Sequence, residues 1–381
     1  MTPRTRARQL WLAAQKAETA EQTGDCLIRE VPDYIDCVVA RRFLENPKLI
    51  NLNEAIGVSP QAAMLLAMHQ GPLALGGLTT LSEATAKSLS EHRHAISLRG
   101  IKILPLATAR ILANHQGGNL YLNGVTRISE QAATAISAHR GMLSFRGLTH
   151  LSEALARALA RVDGSLSLNG LVSLSVKAAE ALANHKGQLY LNGLTTLSHA
   201  AGKALSRHWW GLYLNGITNL TPEIAMGLST HRHFLHLNGL SELNPEAAKT
   251  LVAHRGRLIL NGLTYLSDAT ARELVNHRGD LILENLTDLS DAALLDLVNH
   301  RPAISFIGLT RITVAGAKAL ASRRVNHLCE GLGGSFEEAS QALIDDDPIL
   351  YLDGLTSLSA SAAKALAKHP GKLSLMGLEG S

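Results

Sequence analysis

A chain of 381 residues that is 46% hydrophobic has ample material for a core, and its net charge of +4 gives no global sign of a polyanion partner. Three cysteines, Cys26, Cys37 and Cys329, are too few and too scattered for a disulfide framework, so a reducing, cytoplasmic setting is expected. Arg4, Arg6 and Arg8 precede an apolar run too short for a signal peptide. Residues 55–82 lack Lys, Arg, Asp and Glu, but their Pro, Gly, Gln and His argue against a membrane span.

Residues 1–46 do not repeat. Arg6 to Gln22 reads as a helix with Trp11 on one side, and Cys26 to Glu45 as a second helical or mixed segment broken by Pro32. The stretch reads as a cap over the first coil, with a separate docking module as the alternative.

From residue 47 to 381 one line recurs every 23 residues, with fifteen starts from Ile50 to Leu373. Only the step from Ile96 to Leu120 is longer, by one residue. A fixed period of this length predicts a solenoid. The pattern is L-x-L-x-G-L-x-x-L-S-x-x-A-x-x-A-L-x-x-H-x-G-x, as in Leu189 to Gly211. The opening L-x-L predicts a short strand with two apolar side chains on one face. The glycine after it, at Gly193 and Gly216 for example, predicts a tight turn or a close approach of coils. Ser198, Thr221 and Asn244 stand where a helix cap accepts an orphan N–H, and Pro222 and Pro245 follow at the first helical position. The Ala-rich helix is expected to run about ten residues, too short to stand alone. Strands joined through helices run parallel with right-handed crossovers. The expected fold is therefore an α/β, right-handed parallel solenoid of about fifteen coils, curved with the strands inside.

On this repeat the chain resembles the bacterial leucine-rich repeat proteins over roughly residues 47–381. The resemblance implies protein–protein interaction and carries no catalytic residue. The usual line has two more residues between its leucines and a buried asparagine there, so that asparagine ladder does not transfer. Asn123, Asn169, Asn192, Asn215, Asn238 and Asn261 either form a ladder of their own or line the surface. The chain ends at MGLEGS just after a strand, which leads us to expect further chain or a second subunit over that edge.

Histidine recurs near the helix end, from His69 through His369, and is interrupted at Val162, Arg323 and Asp346. An open column lacks the closed ligand set a metal needs, so these residues are expected to hydrogen-bond the last carbonyls of their own helices. No metal or cofactor is expected. The repeat at 325–347 is degenerate. His327 and Cys329 replace its strand leucines, and repeat decay is favoured over a nucleophilic Cys–His pair or a hydrolase or metal site. Its glycines, Gly331, Gly333 and Gly334, form an incomplete phosphate fingerprint opposed by Glu337 and Glu338. The chain is not expected to be an enzyme.

Two surfaces remain. The position after the histidine is basic at Arg232, Arg255, Arg278, Arg301 and Arg324, which stacking turns into a stripe for nucleic acid or another polyanion. The second is the preferred partner-binding face. The strand position between the leucines is Ser at 97, 144, 167, 305 and 374 but becomes Tyr190, Tyr213 and His236 on consecutive strands, with Trp209, Trp210 and Phe234 in the adjoining turns. Aromatics are only 4% of the chain, so the cluster is not composition. Tyr190→Ser with Tyr213→Ser copies other repeats and is expected to leave melting nearly unchanged.

Overall fold

The computed structural model of the chain describes residues 30–300, 304–305, 307–322, 349–369 and 372–378. The expected first helix, the degenerate repeat and Arg301 and Arg324 lie outside the described residues.

Eleven short strands form one parallel sheet whose spatial order is the chain order, from Leu73–Ala74 to Ile304–Ser305. Register repeats with the sequence: Leu189 faces Leu212 and Tyr190 faces Tyr213, then Leu212 faces Leu235 and Tyr213 faces His236. Each strand is joined to the next through a helix, which gives the expected leucine-rich-repeat-like solenoid. Helices are broader than the ~4.8 Å strand spacing, so the stack curves with the sheet inside.

Within a coil the leucines do the packing. Leu189, Leu191 and Leu194 are fully buried, as are Ala201 and Leu205 of the helix His199–Leu205. Each buried leucine contributes roughly 1.5–3 kcal/mol, and alanine lets the helix lie close to the sheet. The caps are those expected: Ser198 Oγ accepts from Ala201 N at 3.2 Å, and Asn244 Oδ1 from Ala247 N at 2.8 Å. Most helices span seven residues rather than the expected ten. Beyond Leu182, for example, the chain closes with a tighter i→i+3 bond, His185 N to Leu182 O, which absorbs the missing turn.

The glycine after the strand marks close approach. A Cβ on Gly216 would stand 2.2 Å from Asn192 O and 2.6 Å from Leu194 O of the preceding coil. The single extra residue between Ile96 and Leu120 is taken up at Gly118, whose φ of 83° suits only a residue without Cβ.

The asparagines form a ladder of their own. Asn192 N donates to Asn169 Oδ1 at 2.9 Å, Asn215 N to Asn192 Oδ1 at 3.0 Å, and Asn238 N to Asn215 Oδ1 at 2.9 Å. Asn261 N and Glu284 N continue it. The backbone turns away after each strand, and the amide oxygen of one coil takes the N–H of the next.

At the N-terminal end, Tyr34–Ile35 pairs with Gly57–Val58 and the helix Cys37–Glu45 packs on Pro60–Leu66. Cys37 is a free thiol. Toward the other end, the coil from Ile349 meets the coil from Ile304 directly: Thr356 N donates to Thr310 O at 3.2 Å, and the helices Val314–Ser322 and Ala360–Leu366 touch. Those threonines are two repeat lengths apart in sequence, so the expected unbroken succession of coils does not hold there.

Candidate binding surface

Side chains before, between and after the two strand leucines share the open face of the sheet. The middle column holds the aromatics. Tyr190 and Tyr213 stack with ring centroids 4.2 Å apart, and Tyr213 and His236 with centroids 3.9 Å apart. Ile259 and Ile282 continue the column and are buried against each other. Tyr213 is stacked on both faces, and all three rings are half-buried. Burial raises the pKa of Tyr190 and Tyr213 and pushes His236 down to about 4, with the Arg257 charge adding to the effect at His236.

The adjoining turns are more open. Trp209 is 63% exposed, Trp210 44% and Phe234 40%. Trp210 and His233 stand in a column that is Gly at 141, 164, 187, 256 and 279, where a Cβ would run into the coil before it. Their side chains therefore project from an edge that is otherwise bare. Trp209 packs on His233 at 4.7 Å, and the Arg257 guanidinium lies over the Phe234 ring at 5.2 Å. Arg257 is in turn bonded to Asp280 at 3.0 Å. The aromatics thus fall into two groups, Tyr190, Tyr213 and His236 stacked on the sheet and Trp209, Trp210 and Phe234 exposed at the turn edge.

Arg232, Arg255 and Arg278 follow Trp209 on the same edge in consecutive coils, and all three are exposed.

The histidines play a different part from the one expected. His92 is fully buried, with Nε2 3.0 Å from Gly71 O and Nδ1 3.2 Å from Ala67 O, both in the preceding coil. His139 and His277 repeat the first contact with Gly118 and Gly256 at 3.0 and 3.1 Å. They staple one coil to the one before and do not cap their own helices. Neighbouring rings stack, as His185 on His208 at 5.9 Å and His254 on His277 at 5.6 Å. A neutral imidazole has one N–H, so it donates to one carbonyl at most. Burial pushes His208 and His231 down to about 4 and His254 to about 3, with neighbouring imidazoles adding to it at His208 and His254. No three such side chains converge on a metal position among the described residues. The signal for burial was Val162, an apolar residue that fills the same column fully buried.

No helix among the described residues is long and apolar enough to cross a membrane. No protein-family profile matches the sequence, and no curated protein does. Among solved structures, the chain is similar to a leucine-rich repeat protein of Leptospira interrogans at 13% identity, over 83% of this chain and 98% of that one, with a TM-score of 0.35. It is similar to an internalin of Listeria monocytogenes at 12% identity, over 88% and 93%, with a TM-score of 0.40. It is also similar to a chain of the yeast Rad7–Elc1 complex at 12% identity, over 86% and 93%, with a TM-score of 0.37.

Proposed function

We propose that the chain is a non-enzymatic, cytoplasmic protein-binding scaffold of bacterial leucine-rich-repeat type. It meets its partner through the inner strand face at Tyr190, Tyr213 and His236 and the turn edge at Trp209, Trp210 and Phe234. The observation that carries this reading is the exposure of Trp209, Trp210 and Phe234 on two consecutive turns, at positions that other coils fill mainly with Gly or polar residues. Exposed aromatics beside a rigid surface supply contact area at low entropic cost, which is how interface hot spots arise. The cytoplasmic part rests on the few, scattered cysteines.

The test is affinity capture from a native lysate by the wild-type chain and by Trp209→Ala/Trp210→Ala/Phe234→Ala. Proteins retained by the wild type and reduced about fivefold or more by the variant support the reading. The same proteins at the same yield on both would refute it.

The second reading, a polyanion on the basic stripe, is favoured by the exposure of Arg232, Arg255 and Arg278. Single-stranded nucleic acid also needs free aromatic faces on which to stack bases. Here one face of Phe234 is covered by Arg257, and Tyr213 is stacked on both sides by Tyr190 and His236. Protein is therefore the better-supported partner.

A further inference from the structure

We infer that the partner presents an acidic segment with an apolar anchor, laid along the turn edge from Trp209 to Arg278. This rests on the scaffold reading and adds the chemistry of what is bound.

The turns of four consecutive coils, residues 208–211, 231–234, 254–257 and 277–280, contain four arginines and one acid. That acid, Asp280, is taken by Arg257, which itself lies over Phe234. Arg232, Arg255 and Arg278 make no ion pair with any described residue, and all three are exposed. The coil period places them in one column, continuous with Trp209. At the ~4.8 Å strand spacing, three steps from Trp209 to Arg278 span ~14 Å, about four residues of extended chain at ~3.3 Å each. A segment of that length can seat its apolar side chain on Trp209, Trp210 and Phe234 and its carboxylates on the arginines beyond. Guanidinium forks match carboxylates in a bidentate manner, and the exposed rings of Trp209 and Trp210 can take an apolar side chain.

Three probes decide it by fluorescence anisotropy at low and high salt. One is a short labelled peptide with an aromatic pair flanked by glutamates. The second is the same peptide with lysines for the glutamates. The third is a single-stranded oligonucleotide of matched length. The glutamate peptide should bind, weaken as salt rises, and lose at least ~10-fold in affinity to Arg232→Glu/Arg255→Glu/Arg278→Glu, whose substitutions are on exposed positions. Trp209→Ala/Trp210→Ala should weaken it at low and high salt alike. Equal binding of the lysine peptide, indifference to the arginine reversal, or tighter binding of the oligonucleotide would each overturn the acidic-segment proposal. The two readings fail separately. If lysate capture is lost with the aromatic variant but kept by the arginine variant, the scaffold stands and the acidic segment falls. If capture survives both, both fall.

Discussion

At the residue scale, the buried histidines tie stability to pH. An unfolded histidine takes a proton near 6.5, but His208 and His231 in the fold resist it until about 4 and His254 until about 3. Over that window the unfolded chain binds more protons than the folded one, so acidification favours unfolding by up to about 1.4 kcal/mol per pH unit for each such group. Stability should be flat above neutral pH and fall steeply from about pH 6.5 toward 4. His208→Val copies the natural Val162. It should leave the melting temperature at pH 7.5 nearly unchanged and raise it at pH 5 relative to wild type, as thermal melts at the two pH values would show. A parallel loss at both would mean that the ring's packing against its neighbours outweighs its desolvation. The tyrosine column calls for a similar adjustment. Because Tyr190 and Tyr213 stack and are half-buried, Tyr190→Ser with Tyr213→Ser forfeits about 0.5–1.5 kcal/mol per aromatic pair. Melting should fall modestly rather than stay unchanged.

At the scale of the element, each coil is held to its neighbours by a small set of repeated bonds. Asn215 accepts from Asn238 N and its own N–H donates to Asn192 Oδ1. Asn215→Ala leaves the N–H of Asn238 without its partner and should cost about 1–2 kcal/mol. Asn215→Asp keeps an acceptor oxygen, as Asp353 does naturally for Met376 N, and should cost less. Urea melts of the two variants check the order. Gly216→Ala forces a methyl onto the carbonyls of the preceding coil and should cost about 1–3 kcal/mol. These devices were legible to different degrees. The L-x-L, cap and glycine positions are each tied to one local geometry, so their roles followed from the repeat. The asparagine ladder and the histidine staples join residues 21 to 25 apart. Each pair joins one repeat to the one before it, and reading a helix-end histidine locally leads to its own carbonyls. The direct meeting of the coils at Ile304 and Ile349 lay beyond the period for the same reason.

At the scale of the whole molecule, the solenoid sets side chains of successive repeats side by side, so a local exception in sequence becomes a patch in space. Other coils carry Ser at 97, 144, 167, 305 and 374 where Tyr190 stands, Arg at 93, 140, 232, 255 and 278 where Trp209 stands, and Gly at 141, 164, 187, 256 and 279 where Trp210 stands. Stability in such a stack is close to a sum over coils and their interfaces, so substitutions on this edge can change binding without unfolding the remainder. The surface was legible as a cluster, because composition alone could not produce it. The division between stacked rings on the sheet and open rings at the turn was not, since it depends on how neighbouring coils fill each other's faces. The most direct measurement is site-specific photocrosslinking. A photoreactive phenylalanine analogue is placed at position 210 or 234 and, as a control, at Arg272 on the exposed side of its helix. The account predicts a shared crosslinked protein at 210 and 234 and none at 272. Crosslinking at 272 with silence at 210 and 234 would contradict it.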